Sequence, residues 1–172
     1  MQLQLERRSS PIGEILLVAD AEGQIRALDF EGYEERMMRL LALHYGEVAL
    51  APGLAPAGVT AALDAYFAGD IAAIDPIPAV TAGTDFQREV WAALRTIGPG
   101  ETLSYGELAR LVGRPKASRA VGAANGANPV DLIVPCHRVI GASGALTGYG
   151  GGMARKQWLI DHERRHTGQR LI

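Results

Sequence analysis

The chain has 172 residues, of which 48% are hydrophobic and 21% charged, with a formal net charge of −2 and one cysteine. That is enough apolar material for a core, and too little sulfur for an internal disulfide or a cysteine-built zinc site. The first ten residues carry Glu6, Arg7 and Arg8 without an apolar leader, and no run approaches the ~20 apolar residues of a membrane span, so a cytoplasmic chain with no membrane partner is expected.

The elements follow in chain order. Residues 13–19 and 24–30 are apolar-rich runs around Asp20-Ala21-Glu22-Gly23, which predicts a β-hairpin. Residues 33–45 carry Met37, Leu40, Leu41 and His44 on one helical face. Residues 49–58, rich in Ala, Pro and Gly, read as a loop, and 59–67 as a second helix stopped by Gly69. Pro76, Pro78 and Gly83 mark a linker, so the domains are expected at 1–75 and 85–172 with 76–84 between them. Thr84 and Gln87 form a capping-box signature ahead of Phe86, Val90, Trp91 and Leu94. Ser104 and Glu107 form another for a helix over 105–112, which Gly113-Arg114-Pro115 breaks before a helix over 116–125. Helix, short turn, helix is the helix-turn-helix pattern. A glycine-dense loop over 141–152 precedes a last helix over 154–162.

Charge separates the two halves. Residues 1–84 hold 5 basic and 12 acidic side chains, a net −7, whereas 85–172 hold 12 and 7, a net +5. The basic half suits a polyanion, although two solvated faces have the same composition. The second helix of the helix-turn-helix is made of small residues (Ala117, Ser118, Ala120, Gly122, Ala123, Ala124) with Arg119 as its one long side chain. A mid-helix glycine costs roughly 1 kcal/mol relative to alanine. Either close packing on a neighbouring helix or close approach to a narrow DNA groove compensates. In the second case Arg119 enters the base stack while Arg114 and Lys116 sit on phosphates, with little sequence readout.

Cys136 lies in Val134-Pro135-Cys136-His137-Arg138-Val139. A lone cysteine is commonly a small buried hydrophobe. Here Pro135 shapes the turn, and His137 and Arg138 place protonatable or positive groups beside the sulfur, which favours thiolate. In an extended segment neighbouring side chains diverge, so a water has to link the thiol to His137. Glu163 is the candidate carboxylate to orient the imidazole, with His162 as its rival.

These residues carry a resemblance. Thr84-Asp85-Phe86-Gln87 through His162-Glu163 resembles the O6-alkylguanine-DNA alkyltransferases, through Asn128-Pro129, Pro135-Cys136-His137-Arg138-Val139-Ile140, Gly148-Tyr149, Gly151-Gly152 and Lys156-Gln157-Trp158-Leu159. The resemblance implies an α/β (α+β) fold: a small ribonuclease-H-like N-terminal sheet-and-helix domain, then a mostly helical domain with the helix-turn-helix. It implies that Cys136 accepts the alkyl group once and for good, with His137 and Glu163 generating the thiolate. Tyr105 would press on the target phosphate, Arg119 would fill the gap left by a flipped nucleotide, and Asn128 would hold the turn before the cysteine. Arg114, Lys116, Ser118, Asn128 and Arg138 join Tyr105 and Arg119 in the implied DNA-binding set. Pro135, Val139, Tyr149 and Gly150 would wall the base pocket, the Val139 carbonyl accepting from the base's amine. The partner is double-stranded DNA with alkylated bases, the protein is a monomer, and neither cofactor nor metal is expected. Gly150 departs from the serine of many relatives, which removes a hydroxyl and adds room. A non-catalytic reader of alkylated DNA, a helix-turn-helix regulator and a thiol hydrolase are the competing readings.

Overall fold

The computed structural model describes residues 1–168. The described residues divide into two units: 1–82 with 129–133, and 83–128 with 134–168. The first is a sheet with helices and the second is mostly helical, which is the α+β arrangement expected.

The first unit is built on strands β1 (Gln2–Arg8), β2 (Ile15–Asp20), β3 (Ile25–Phe30) and β4 (Ala49–Pro52), in sheet order β3-β2-β1-β4. The expected hairpin is β2–β3, in register from Ile15↔Phe30. Strand β1 lies antiparallel on its other side, from Leu3↔Asp20 to Arg8↔Ile15. Sequence pattern missed β1 because Leu3 and Leu5 are its only apolar residues among polar and charged ones. The stretch over 49–58 is not all loop, since its first four residues are β4, parallel to β1. As the edge strand, β4 tolerates Pro52, whose missing N–H faces no further partner in the sheet. Helix α1 (Glu34–Tyr45) buries Met37 and Leu41 against Leu3, Leu16, Val18 and Ala27. Helix α2 (Ala57–Phe67) buries Val59, Leu63 and Tyr66.

Pro129–Ile133 belongs with this sheet although it lies just before the cysteine segment. Leu28 N–H donates to the Pro129 carbonyl and Asp131 N–H to the Leu28 carbonyl, both at 3.1 Å. Arg36 pairs with Asp29 at 2.9 Å and approaches Asp131 at 3.9 Å. Leu132 sits at φ 73, the left-handed region. Such a backbone costs on the order of 1–3 kcal/mol, which the bonds on either side of it must offset.

The second unit contains α3 (Asp85–Leu94), β5 (Leu103–Ser104), α4 (Tyr105–Leu111), α5 (Ser118–Gly126), a 3-10 turn over Cys136–Arg138, β6 (Val139–Ile140) and α6 (Met153–Thr167). Both capping boxes form reciprocally, Thr84 with Gln87 and Ser104 with Glu107. Trp91 Nε1–H donates to the Ala124 carbonyl at 2.8 Å and fastens α3 to α5. Helix α6 runs past the expected end at 162, because the buried stripe Lys156, Leu159, Ile160, Glu163 recurs at helical spacing. It ends at Gly168, whose φ of 77 suits a C-cap. No helix among the described residues is long and apolar enough to cross a membrane.

Candidate active site

Cys136 opens a 3-10 turn, so the segment is not the extended strand that its sequence suggests. The turn follows from Pro135 and from short-range bonds: Cys136 N–H to the Val134 carbonyl at 2.8 Å, and Arg138 N–H to the Pro135 carbonyl at 3.0 Å. At three residues per turn, adjacent side chains still point well apart. Cys136, His137 and Arg138 are all buried. Val139 then enters β6, pairing with Leu103 in β5.

Glu163 on α6 is where the turn's charged side chains meet. An ionised carboxylate only accepts, so His137 donates from Nε2–H to Glu163 Oε2, at 2.6 Å. Arg138 donates from Nε to Glu163 Oε1 at 2.7 Å and from Nη2 to Oε2 at 3.2 Å, while its Nη1 donates to the Ile97 carbonyl. Burial by itself pushes the Glu163 carboxyl up, but His137 and the Arg138 guanidinium more than offset it and hold the group well below the ordinary carboxylate range. With Nε2 committed to Glu163, His137 Nδ1 is left without a hydrogen-bond partner in the protein. Tyr149 packs its ring edge-to-face with His137 at 6.4 Å.

Lys156, which motif reading gave no role, is fully buried, and its Nζ donates to the Thr147 carbonyl at 3.0 Å. Burial pushes its ammonium down, and interaction with Cys136 partly restores it. A cation beside a sulfur favours the thiolate. The signal was present in sequence: an i, i+3, i+4, i+7 apolar stripe that begins on a lysine and ends on a glutamate marks both charges as buried.

Beside this network lies a cavity of about 490 Å³ lined by Tyr105, Gly122, Asn125, Gly126 and Thr147 to Gly150. Its size falls in the range of small-molecule and base-sized sites. Tyr105 and Thr147 share a hydrogen bond between their hydroxyls at 2.5 Å, joining the start of α4 to the glycine-dense loop. A methyl placed on Gly122 would meet the Tyr105 ring at 3.5 Å, an ordinary contact. Packing therefore does not exclude alanine there, and the glycine's effect is to leave room in the cavity. Asn125 connects the cavity to the cysteine, its Nδ2 donating to the Cys136 carbonyl at 3.4 Å.

The remaining expected residues fall into two groups. Lys116, Ser118, Arg119, Ala120 and Ala123 are exposed along and ahead of α5. Arg114 is exposed too, pairing with Glu89 at 3.3 Å and covering the Phe86 ring. Asn128 is buried, and its side-chain amide donates to the Val134 carbonyl at 2.8 Å, which ties the end of α5 to the turn. Arg138, grouped above with the DNA-binding residues, is instead 2% exposed with its guanidinium committed to Glu163 and Ile97, so it has no face to offer a phosphate.

Residues 8–79 match the family described as 6-O-methylguanine DNA methyltransferase, ribonuclease-like domain, and residues 85–165 match the DNA binding domain of the same name. The chain is 48% identical over 165 residues to a methylated-DNA–protein-cysteine methyltransferase of Shigella flexneri, covering 95% of this chain and 96% of that protein. It is 60% identical over 111 residues to one from Mycolicibacterium paratuberculosis, covering 64% and 67%. Its structure is similar to that of Mycobacterium tuberculosis OGT in complex with DNA, with a TM-score of 0.78 at 42% identity over 96% of this chain and 94% of that one. With both domain families matched in order and 48% identity held over nearly the whole length, the protein belongs to the methylated-DNA–protein-cysteine methyltransferases.

Proposed function

We propose that the protein repairs DNA by direct reversal, Cys136 Sγ taking the alkyl group from O6-alkylguanine, and from O4-alkylthymine, and keeping it. The buried Cys136–His137–Glu163 arrangement beside the cavity carries this reading. A target atom inside a duplex is out of reach, so the nucleotide is flipped into the cavity, and a damaged pair opens at less cost than a sound one. The thiol proton passes through a water to His137 Nδ1, and Glu163 stabilises the imidazolium that results. Lys156 opposes the charge of the thiolate. A sulfur electron pair forms the S–C bond as the C–O6 bond breaks in line. The electron pair released goes to the purine, and the imidazolium proton returns through water to its N1, restoring guanine. Because the thioether is stable, each molecule acts once.

The DNA side of this reading uses the exposed face of α5. Arg119 fills the gap in the duplex, and Arg114, Lys116 and Ser118 meet phosphates. Tyr105 exchanges its Thr147 partner for the target phosphate. Asn128 holds the turn, and Pro135, Val139, Tyr149 and Gly150 wall the base. The protein works as a monomer in the cytoplasm.

Mass spectrometry after mixing with a duplex that holds one O6-methylguanine tests the reading: one methyl group is expected on the Cys136 peptide. Cys136→Ala is expected to take up none while DNA affinity stays within a few fold, because most affinity comes from phosphate contacts. Methyl uptake by the variant overturns the assignment, and binding by the native chain without uptake favours a non-catalytic reader.

A further inference from the structure

Asn125 is 4% exposed, lines the cavity, and has one end of its amide committed: Nδ2 donates to the Cys136 carbonyl. The reverse orientation would set Oδ1 against the Cys136 carbonyl, two acceptors facing each other, so the network orients the amide this way. The other end, Oδ1, is buried and has no hydrogen-bond partner in the protein. A buried acceptor without a partner is costly and asks for a donor, here one that a bound molecule brings.

The chemistry of the two lesions limits what that donor is. Alkylation of guanine at O6 removes the N1 hydrogen, so the base keeps N–H donors only on its 2-amino group. Alkylation of thymine at O4 removes the N3 hydrogen, and the base keeps no N–H donor. An acceptor that the flipped base meets at the cavity wall is therefore satisfied by the first lesion and stranded by the second.

We propose that Asn125 Oδ1 accepts a hydrogen bond from the 2-amino group of the flipped O6-alkylguanine and makes the site selective for guanine over thymine lesions. The inference rests on the alkyltransferase reading above. The amino group has two hydrogens, so this contact is compatible with one to the Val139 carbonyl. Because the same amide holds the Cys136 carbonyl, it also sets the base against the sulfur. Discrimination of this kind arises from polar groups left unpaired by the wrong substrate.

The test uses the full chain and single-turnover alkylation rates on duplexes with O6-methylguanine, O6-methylhypoxanthine (the same base without the 2-amino group) and O4-methylthymine. The native chain is expected to prefer O6-methylguanine over O6-methylhypoxanthine by about tenfold, the loss for one buried hydrogen bond left unmade. In Asn125→Leu, of similar size without polar atoms, the preference is expected to shrink to about twofold or less, with O4-methylthymine rising relative to O6-methylguanine. Asn125→Ala, scored the same way, serves if the leucine variant does not fold. An unchanged ratio in the variants, even with both rates lowered in parallel, means a merely structural asparagine and overturns the proposal. So does a native chain indifferent to the 2-amino group. A native chain that takes no methyl from any of the three overturns the alkyltransferase reading itself, and this proposal with it.

Discussion

Glu163 accepts from His137 and from the Arg138 guanidinium and is itself almost without solvent. Breaking a buried ion pair by removing one partner costs on the order of 3–5 kcal/mol, because the other is left uncompensated. Glu163→Gln is therefore expected to lower the melting temperature markedly and to slow alkyl transfer, since the amide no longer stabilises a positive imidazole. The pH dependence has a definite sign. The folded carboxyl titrates below its ordinary value of 4.5, so the stability it contributes is complete above that value and is lost as pH falls beneath it. Thermal melts between about pH 7 and about pH 3.5 should show a steep acid-side loss in the native chain and a flatter one in Glu163→Gln. Equal slopes for the two proteins would contradict the role given to this pair.

At the scale of elements, α5 and the segment that follows it divide the work. Exposed Ser118, Ala120 and Ala123 give the helix a thin outer face from which only Arg119 projects far. Arg119→Ala is expected to slow repair of duplex DNA by an order of magnitude or more, the cost of one to three kcal/mol for a lost intrahelical contact. On the free base O6-benzylguanine, which needs no flipping, the change should be small. Rate constants on both substrates decide this, and equal losses would remove Arg119 from the flipping step. The next segment is held within the first unit. Pro129–Ile133 pairs with Leu28 and passes Leu132 through a left-handed backbone before the chain reaches Val134 and Cys136. Asn128 then fixes Val134 from the second unit.

For the molecule as a whole, two terms oppose each other. The acidic first half and basic second half give a nearly neutral protein that still presents cationic residues to DNA, so binding should weaken steeply with salt. Removing the exposed cation Lys116 should reduce the slope of log K against log salt by about one, measured by titration across salt concentrations. Alkylation acts on stability. Cys136 is 3% exposed, and a methyl added to a sulfur in packed surroundings costs roughly 1–3 kcal/mol. It also ends the interaction between the sulfur and Lys156. Stoichiometric methylation should therefore lower the melting temperature by several degrees, and an unchanged or raised value would refute this.

Much of this protein is written locally and was legible as such. Thr84 with Gln87 and Ser104 with Glu107 mark helix starts because a cap needs only residues three apart. Pro135 likewise marks a shaped turn at Cys136 from a single residue, although the 3-10 form of that turn and the burial of Lys156 were not read from it. What only the tertiary structure decided is pairing between distant segments. Strands β1 and β4 exist because each finds a neighbour in the sheet: QLQLERR alternates over its first five residues but offers only two apolar side chains, and ALAP is four residues ending on a proline. Arg138 looks like a surface cation until Glu163, 25 residues on, and the Ile97 carbonyl enclose it. Asn125 acquires its significance the same way: α5 carries it to the wall of a cavity, where one end of its amide holds the cysteine's carbonyl and the other is left to be met. A charge or an amide is solvated by default, and its burial is settled by a partner that local sequence does not contain.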